Sequence, residues 1–149
     1  MKNVAQFFLL SVSCFWISIV HADADFDISK HSGKVVYVDF WASWCAPCRA
    51  SFPFMKDMAE KYGDSLVVVA INVDKDRKDA DQFLQQYDVN FDIVYDPAGG
   101  LAEKFEVKGM PTSYLYDRQG QLLGSHIGFK KKDIERLEAA IKDAINIEN

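Results

Sequence analysis

With 149 residues, 49% of them hydrophobic, the chain has the length of one domain and enough apolar mass to fill a core. A formal net charge of −5 argues against a nucleic-acid partner, whose phosphates call for a basic surface. Three cysteines, one of them at position 14, are too few for a disulfide framework, so the remaining pair reads as chemistry rather than as a brace.

The chain opens with Met1 and Lys2, then runs uncharged and mostly apolar from Phe7 to Val20. Val20-His21-Ala22 and Ala22-Asp23-Ala24 offer small residues for cleavage. This is the outline of a secretory signal peptide. The expected organisation is a signal peptide over 1–22, one domain over 23–149 and export. The other reading of the same run is an uncleaved membrane anchor, although a spanning helix needs about 20 apolar residues. Cys14 follows Ser11-Val12-Ser13, a poor lipidation box.

Asp25 to Gly33 is short and polar and is expected to be irregular. Val35 to Phe40 is apolar, β-branched and aromatic, which predicts a buried strand. The next predicted element is a helix from Cys48 to Tyr62, with Phe52, Met55, Ala59 and Tyr62 at helical spacing. It holds Pro53, which should kink it, and ends at Gly63. Leu66 to Val73 predicts a second buried strand.

Asp74 to Asp81 reads as a mixed-charge loop before a helix carrying Phe83, Leu84 and Tyr87. It superficially suggests a calcium loop, but Asp79 stands where the sixth-position glycine belongs and Gln85 where the final glutamate belongs. It is expected to be solvated. A short strand over Phe91–Tyr95, a turn at Asp96-Pro97 and a short helix with Leu101, Ala102 and Phe105 come next. Thr112–Tyr116 and Leu122–Ile127 read as strands joined through Asp117-Arg118-Gln119-Gly120. Ile134, Leu137, Ile141 and Ile145 form the stripe of a C-terminal helix, which Lys130-Lys131-Lys132 would open with the wrong sign for its dipole.

The chemistry concentrates where the first strand becomes the first helix. Cys45 and Cys48 stand two residues apart there, and free backbone N–H groups and the helix dipole stabilise a negative sulfur. Pro47 suits a first helical turn, where its missing N–H costs nothing. A zinc site is the structural alternative. It normally needs four ligands, and outside the leader only His31 and His126 accompany the cysteines. Asp39 is the second candidate. It interrupts an apolar strand, and burial there should raise its pKa and let it exchange protons near neutrality. An edge position in contact with solvent is the other reading.

Val38-Asp39-Phe40-Trp41-Ala42-Ser43-Trp44-Cys45-Ala46-Pro47-Cys48 resembles the active-site segment of the thioredoxin superfamily, and the later pattern resembles its TlpA-like branch. The likeness runs from about Lys34 to Ile145. It implies an α/β thioredoxin fold: a central mixed sheet flanked by helices, with a strand–helix insertion between the second core strand and a cis-proline loop.

It also implies roles. Cys45 attacks a substrate disulfide, and Cys48 resolves the mixed disulfide. Asp39 helps to deprotonate Cys48. Gly109-Met110-Pro111-Thr112 becomes the cis-proline loop, offering the Met110 backbone to an extended substrate. Trp44, Ala46, Pro47, Met110, Pro111 and Gly128 bind substrate. Trp41, chiefly core, and Phe129 line the same groove. No metal and no cofactor is needed beyond the redox-active Cys45–Cys48 pair. One departure is Ala70, at a position where thioredoxins often carry a lysine near the aspartate.

The implied partners are protein disulfides and a membrane thiol carrier as electron donor, and the periplasm is the destination that the family resemblance implies. Ala46-Pro47 offers neither a cation nor a side-chain donor between the cysteines, which leans toward a reductant. TlpA-like proteins typically serve chosen disulfides, including those of apocytochrome c or copper-site proteins. An oxidase or isomerase, and a copper-delivery protein using the reduced dithiol as ligand, remain open alternatives.

Overall fold

A computed structural model describes residues 25–147; the expected signal peptide, Cys14 included, lies outside them. In chain order the elements are β1 (Val35–Trp41), α1 (Ala46–Tyr62), β2 (Leu66–Asn72), α2 (Arg77–Leu84), β3 (Asp92–Tyr95), α3 (Gly100–Lys104), β4 (Thr112–Tyr116), β5 (Leu122–Ile127) and α4 (Ile134–Asn146). They form one five-stranded sheet in the order β3-β2-β1-β4-β5. β3, β2 and β1 run parallel, while β4 is antiparallel to both β1 and β5.

This order puts β1 in the middle. All seven of its residues are buried, because both faces are covered. A strand covered on both faces reads as an unbroken apolar run, which is how β1 looks in sequence. Val35, Tyr37 and Trp41 pack on one face with α1, α2 and α4. Val36, Val38 and Phe40 pack on the other with Leu101, Ala102 and Phe105 of the α3 region. The mixed sheet between helices is the architecture expected from the resemblance.

Several local expectations change. Residues 25–33 are not simply irregular: Ile28–His31 forms a 3-10 turn capped by Asp27, and Phe26 is buried in the second core cluster. One aromatic ring beneath the sheet anchors an otherwise polar segment. The stretch after β2 is shorter than an eight-residue loop. α2 already starts at Arg77, because the Asp76 carboxylate accepts from the Lys78 N–H and caps it. The three lysines do not open α4. Lys131–Asp133 is a 3-10 turn, Asp133 stands at the α4 N-cap, and its carboxylate suits the positive helix end.

α1 runs unbroken through Pro53 to Tyr62 and stops at Gly63, whose φ of +48° favours glycine. Its position is what matters for function. β1 ends in the middle of the sheet, so the turn into α1 emerges at the centre of the sheet's C-terminal edge.

Candidate active site

Cys45 is the N-cap of α1. The Cys48 N–H points back and donates to Cys45 Sγ at 3.3 Å. An N–H of the first helical turn thus points at the sulfur, which stands at the positive end of the helix, the arrangement that favours a thiolate. Cys45 and Cys48 are joined as a disulfide with Cα atoms 5.3 Å apart. The pair is asymmetric. Cys48 is fully buried, whereas Cys45 is 4% exposed and faces an open groove.

That groove holds about 580 Å³. Trp44, Cys45, Ala46 and Pro47 form one wall, and Trp44 is 69% exposed. Lys108, Gly109 and Met110 form the other, with Val73, Ala102 and Val107 as apolar floor. The last three and Lys108 carry no motif. Only the fold brings the end of β2 and the α3–β4 connection to the helix that bears the cysteines.

Four residues expected at the groove do not line it: Pro111, Gly128, Phe129 and Trp41, the last expected chiefly in the core. Trp41 is fully buried, its ring centroid 4.8 Å from both Phe52 and Phe83. Phe129 is buried against Phe54 at 5.5 Å. Gly128 supports the groove from behind. Its N–H donates to the Pro111 carbonyl at 2.7 Å, and its φ of +82° is what favours glycine, since a Cβ there would meet nothing within 4 Å. Pro111 is buried, and the Met110–Pro111 peptide is cis.

Asp39 is 1% exposed, so it is not an edge residue. Burial raises its pKa well above the usual carboxylate range, only partly opposed by the Ser51 hydroxyl. Ser51 Oγ lies 2.9 Å from the Cys48 carbonyl and 3.4 Å from Asp39 Oδ2. A hydroxyl has one proton, which favours the shorter contact. The longer contact to Asp39 is the weaker one, and as a donor to the carboxyl the Ser51 hydroxyl favours its ionised form. This links the carboxyl to the Cys48 end of the helix. Across the parallel pairing Asp39 faces Ala70, so no cation neutralises it from β2. Burial also raises the Tyr37 phenol on the same face, and the Asp39 carboxyl adds to the effect.

Asp74, expected in a solvated loop, is instead 3% exposed. Its carboxylate accepts from Ser43 N at 2.9 Å, Ser43 Oγ at 3.0 Å and Asn72 Nδ2 at 2.7 Å. It therefore ties the Trp41–Cys45 turn to the end of β2. The available sequence signal was the Asn-x-Asp pattern at a strand end, which its charged neighbours obscured. Asp74→Ala would strand a buried N–H and an amide, costing about 3 kcal/mol of stability in denaturant unfolding. No group of three His, Cys, Asp or Glu side chains arranged to hold a metal ion occurs among the described residues.

Comparisons with known proteins agree with this fold. The family model described as Redoxin matches residues 19–141. A thioredoxin-like protein, YneN of Bacillus subtilis, is 38% identical over 108 residues, covering 70% of this chain and 63% of the relative. The thiol-disulfide oxidoreductase ResA of Oceanobacillus iheyensis is 32% identical over 117 residues, covering 78% and 60%. The chain thus spans less than two thirds of either relative. A solved structure from Chlorobium tepidum, provisionally named thiol:disulfide interchange protein DsbE, superposes with a TM-score of 0.78 at 48% identity, covering 80% of this chain and 85% of that one. The exposed lipoprotein thioredoxin Etrx1 of Streptococcus pneumoniae gives 0.67 at 33%, covering 78% and 89%.

Proposed function

The chain belongs to the Redoxin family, and from that premise we propose that it is an exported thiol-disulfide oxidoreductase that reduces protein disulfides through Cys45 and Cys48. The observation that carries this reading is the Cys48 N–H aimed at Cys45 Sγ, on a sulfur that faces the groove beside Met110. In the reduced protein the Cys45 thiolate attacks a substrate disulfide. One substrate sulfur leaves, and a mixed disulfide forms. Cys48, protected one turn behind, gives its proton to the ionised Asp39 and attacks Cys45 Sγ. The Cys45–Cys48 bond forms and the second substrate sulfur leaves. The names of ResA and DsbE among the relatives support this chemistry.

The groove suits an extended peptide. Trp44 and Pro47 provide apolar contact on one side, and the Met110 backbone provides strand-like pairing on the other. Direction follows from what lies between the cysteines. Neither Ala46 nor Pro47 adds a charge or donor to stabilise the reduced form, so the pair is a reductant. Its electrons come from a membrane thiol carrier. Its clients are disulfides that an oxidising compartment would otherwise keep closed, such as those of apocytochrome c. Residues 1–22 act as the signal peptide that brings the domain, 23–149, to the periplasm.

Equilibration against glutathione redox buffers tests the direction. The expected midpoint lies well below −150 mV, nearer thioredoxins than oxidants; a midpoint of about −150 mV or higher makes the protein an oxidase or isomerase.

A further inference from the structure

Asp39 is buried on the face of the sheet covered by α1 and α4, yet its proposed task requires proton traffic. Burial keeps its carboxyl protonated, so that proton must leave before Asp39 can take one from Cys48. During catalysis the substrate occupies the groove at Cys45. An exit on another side is needed.

Strand register provides one. Asp39 on β1 stands opposite Ser113 on β4, and Ser113 stands opposite His126 on β5. Directly opposed residues of antiparallel strands share a face, with Cβ atoms about 4.5–5.5 Å apart. The row therefore runs from the buried carboxyl to the sheet edge. A second groove, of about 260 Å³, opens there between β5 and α4, and Tyr37, Ser113 and His126 all line it.

The imidazole is held but not fully used. Arg136 Nη2 lies 3.1 Å from His126 Nδ1. A guanidinium only donates, so Nδ1 accepts and Nε2 carries the proton. Nε2 is buried on the inner side of the ring without a hydrogen-bond partner and lies 3.5 Å from Asp133 Oδ2. Arg136 and Asp133 are the charged groups facing the ring, and Asp143 lies farther along the groove. Arg136 is largely exposed and also lies 3.5 Å from Asp133 Oδ1, so Nδ1 is on the solvent side of the ring.

We propose that Ser113 and His126 carry the proton between Asp39 and solvent through the β5–α4 groove, independently of the substrate groove. The inference rests on the oxidoreductase reading above. Asp39 first loses its proton to water by way of the Ser113 hydroxyl and the His126 imidazole. The carboxylate then takes the Cys48 proton as the Cys48 thiolate attacks Cys45 Sγ. The Cys45–Cys48 bond forms, the bond from Cys45 to the substrate sulfur breaks, and the departing substrate thiolate takes its proton from solvent. The proton now on Asp39 leaves by the same row. Histidine suits such shuttling because its ring both accepts and releases protons.

The test is rapid mixing of the reduced protein with dithiobis(nitrobenzoate), which releases one coloured thiolate as Cys45 attacks and a second as Cys48 resolves. In His126→Ala and Ser113→Ala the first release should match wild type within about twofold, and the second should slow about tenfold. Added imidazole should restore most of the loss in His126→Ala, a rescue that a merely structural histidine would not show. An unchanged second release in His126→Ala, or one that imidazole leaves slow, overturns the relay. His126 is on an edge strand, so this arm stands even if Ser113→Ala does not fold. If the wild-type protein releases neither thiolate, it is the oxidoreductase reading that fails.

Discussion

Cys45→Ser protein should reduce no protein disulfide, and Cys48→Ser protein should accumulate as a mixed disulfide with its clients. The two outcomes differ because the sulfurs occupy different places. Cys45 faces the groove and receives the Cys48 N–H, whereas Cys48 is fully buried behind it. Without Cys45 no sulfur reaches a substrate, and turnover falls to the uncatalysed rate. Without Cys48 the first attack proceeds, but no internal thiolate remains to break the bond, so the adduct persists. Non-reducing electrophoresis of extracts of cells expressing each variant, followed by mass spectrometry of the captured species, reads both. The trapped client should be bonded at position 45. Equal trapping by the two single variants would mean that the sulfurs are interchangeable, which this asymmetry forbids.

Asp39→Asn should have the second largest effect, with opposite signs on rate and stability. The amide fits the same space but cannot exchange a proton at neutral pH. Resolution of the mixed disulfide by Cys48 should slow by about 10²-fold, the scale of a lost general base. The first attack, at Cys45, should change little. Stability responds through linkage. The folded pKa of Asp39 lies above its ordinary value of 3.8, so the folded state holds this proton more tightly than the unfolded state. Near pH 3.8 and below, both states are protonated and nothing is lost. As pH rises through the raised folded value, the protein must ionise a buried carboxyl, and stability declines. Asp39→Asn removes that decline. Its gain over wild type in denaturant midpoint should therefore grow as pH rises above 3.8, where the unfolded carboxyl ionises and the buried one does not. Parallel pH profiles for the two proteins would mean that Asp39 is not held protonated by burial.

How far the molecule can be read from its sequence depends on how local each signal is. The β1–α1 junction is local: an apolar run, two cysteines and a helical stripe adjoin one another, and the structure has strand, turn and helix there. The hairpin of β4 and β5 and the stripe of α4 are equally local. Phe26 is different. One ring in a polar segment has no period, and only the sheet face above it explains its burial. Asp74 reads as solvated because its neighbours are charged, yet the Ser43 N–H on another loop draws its carboxylate inward. The groove wall at Ala102, Val107 and Lys108 depends on where α3 packs, and the row Asp39–Ser113–His126 depends on register across three strands. Spacing along one strand carries neither.

The central claim is that the start of α1 makes Cys45 a stabilised sulfur anion. The most direct measurement is the pH dependence of iodoacetamide alkylation at Cys45 in the reduced protein, followed by mass spectrometry of the tryptic peptide. The half-maximal rate should fall below about 8.5, the ordinary value for a free thiol, with Cys48 reacting far more slowly. A midpoint at or above that value, or faster alkylation of Cys48, would contradict the account.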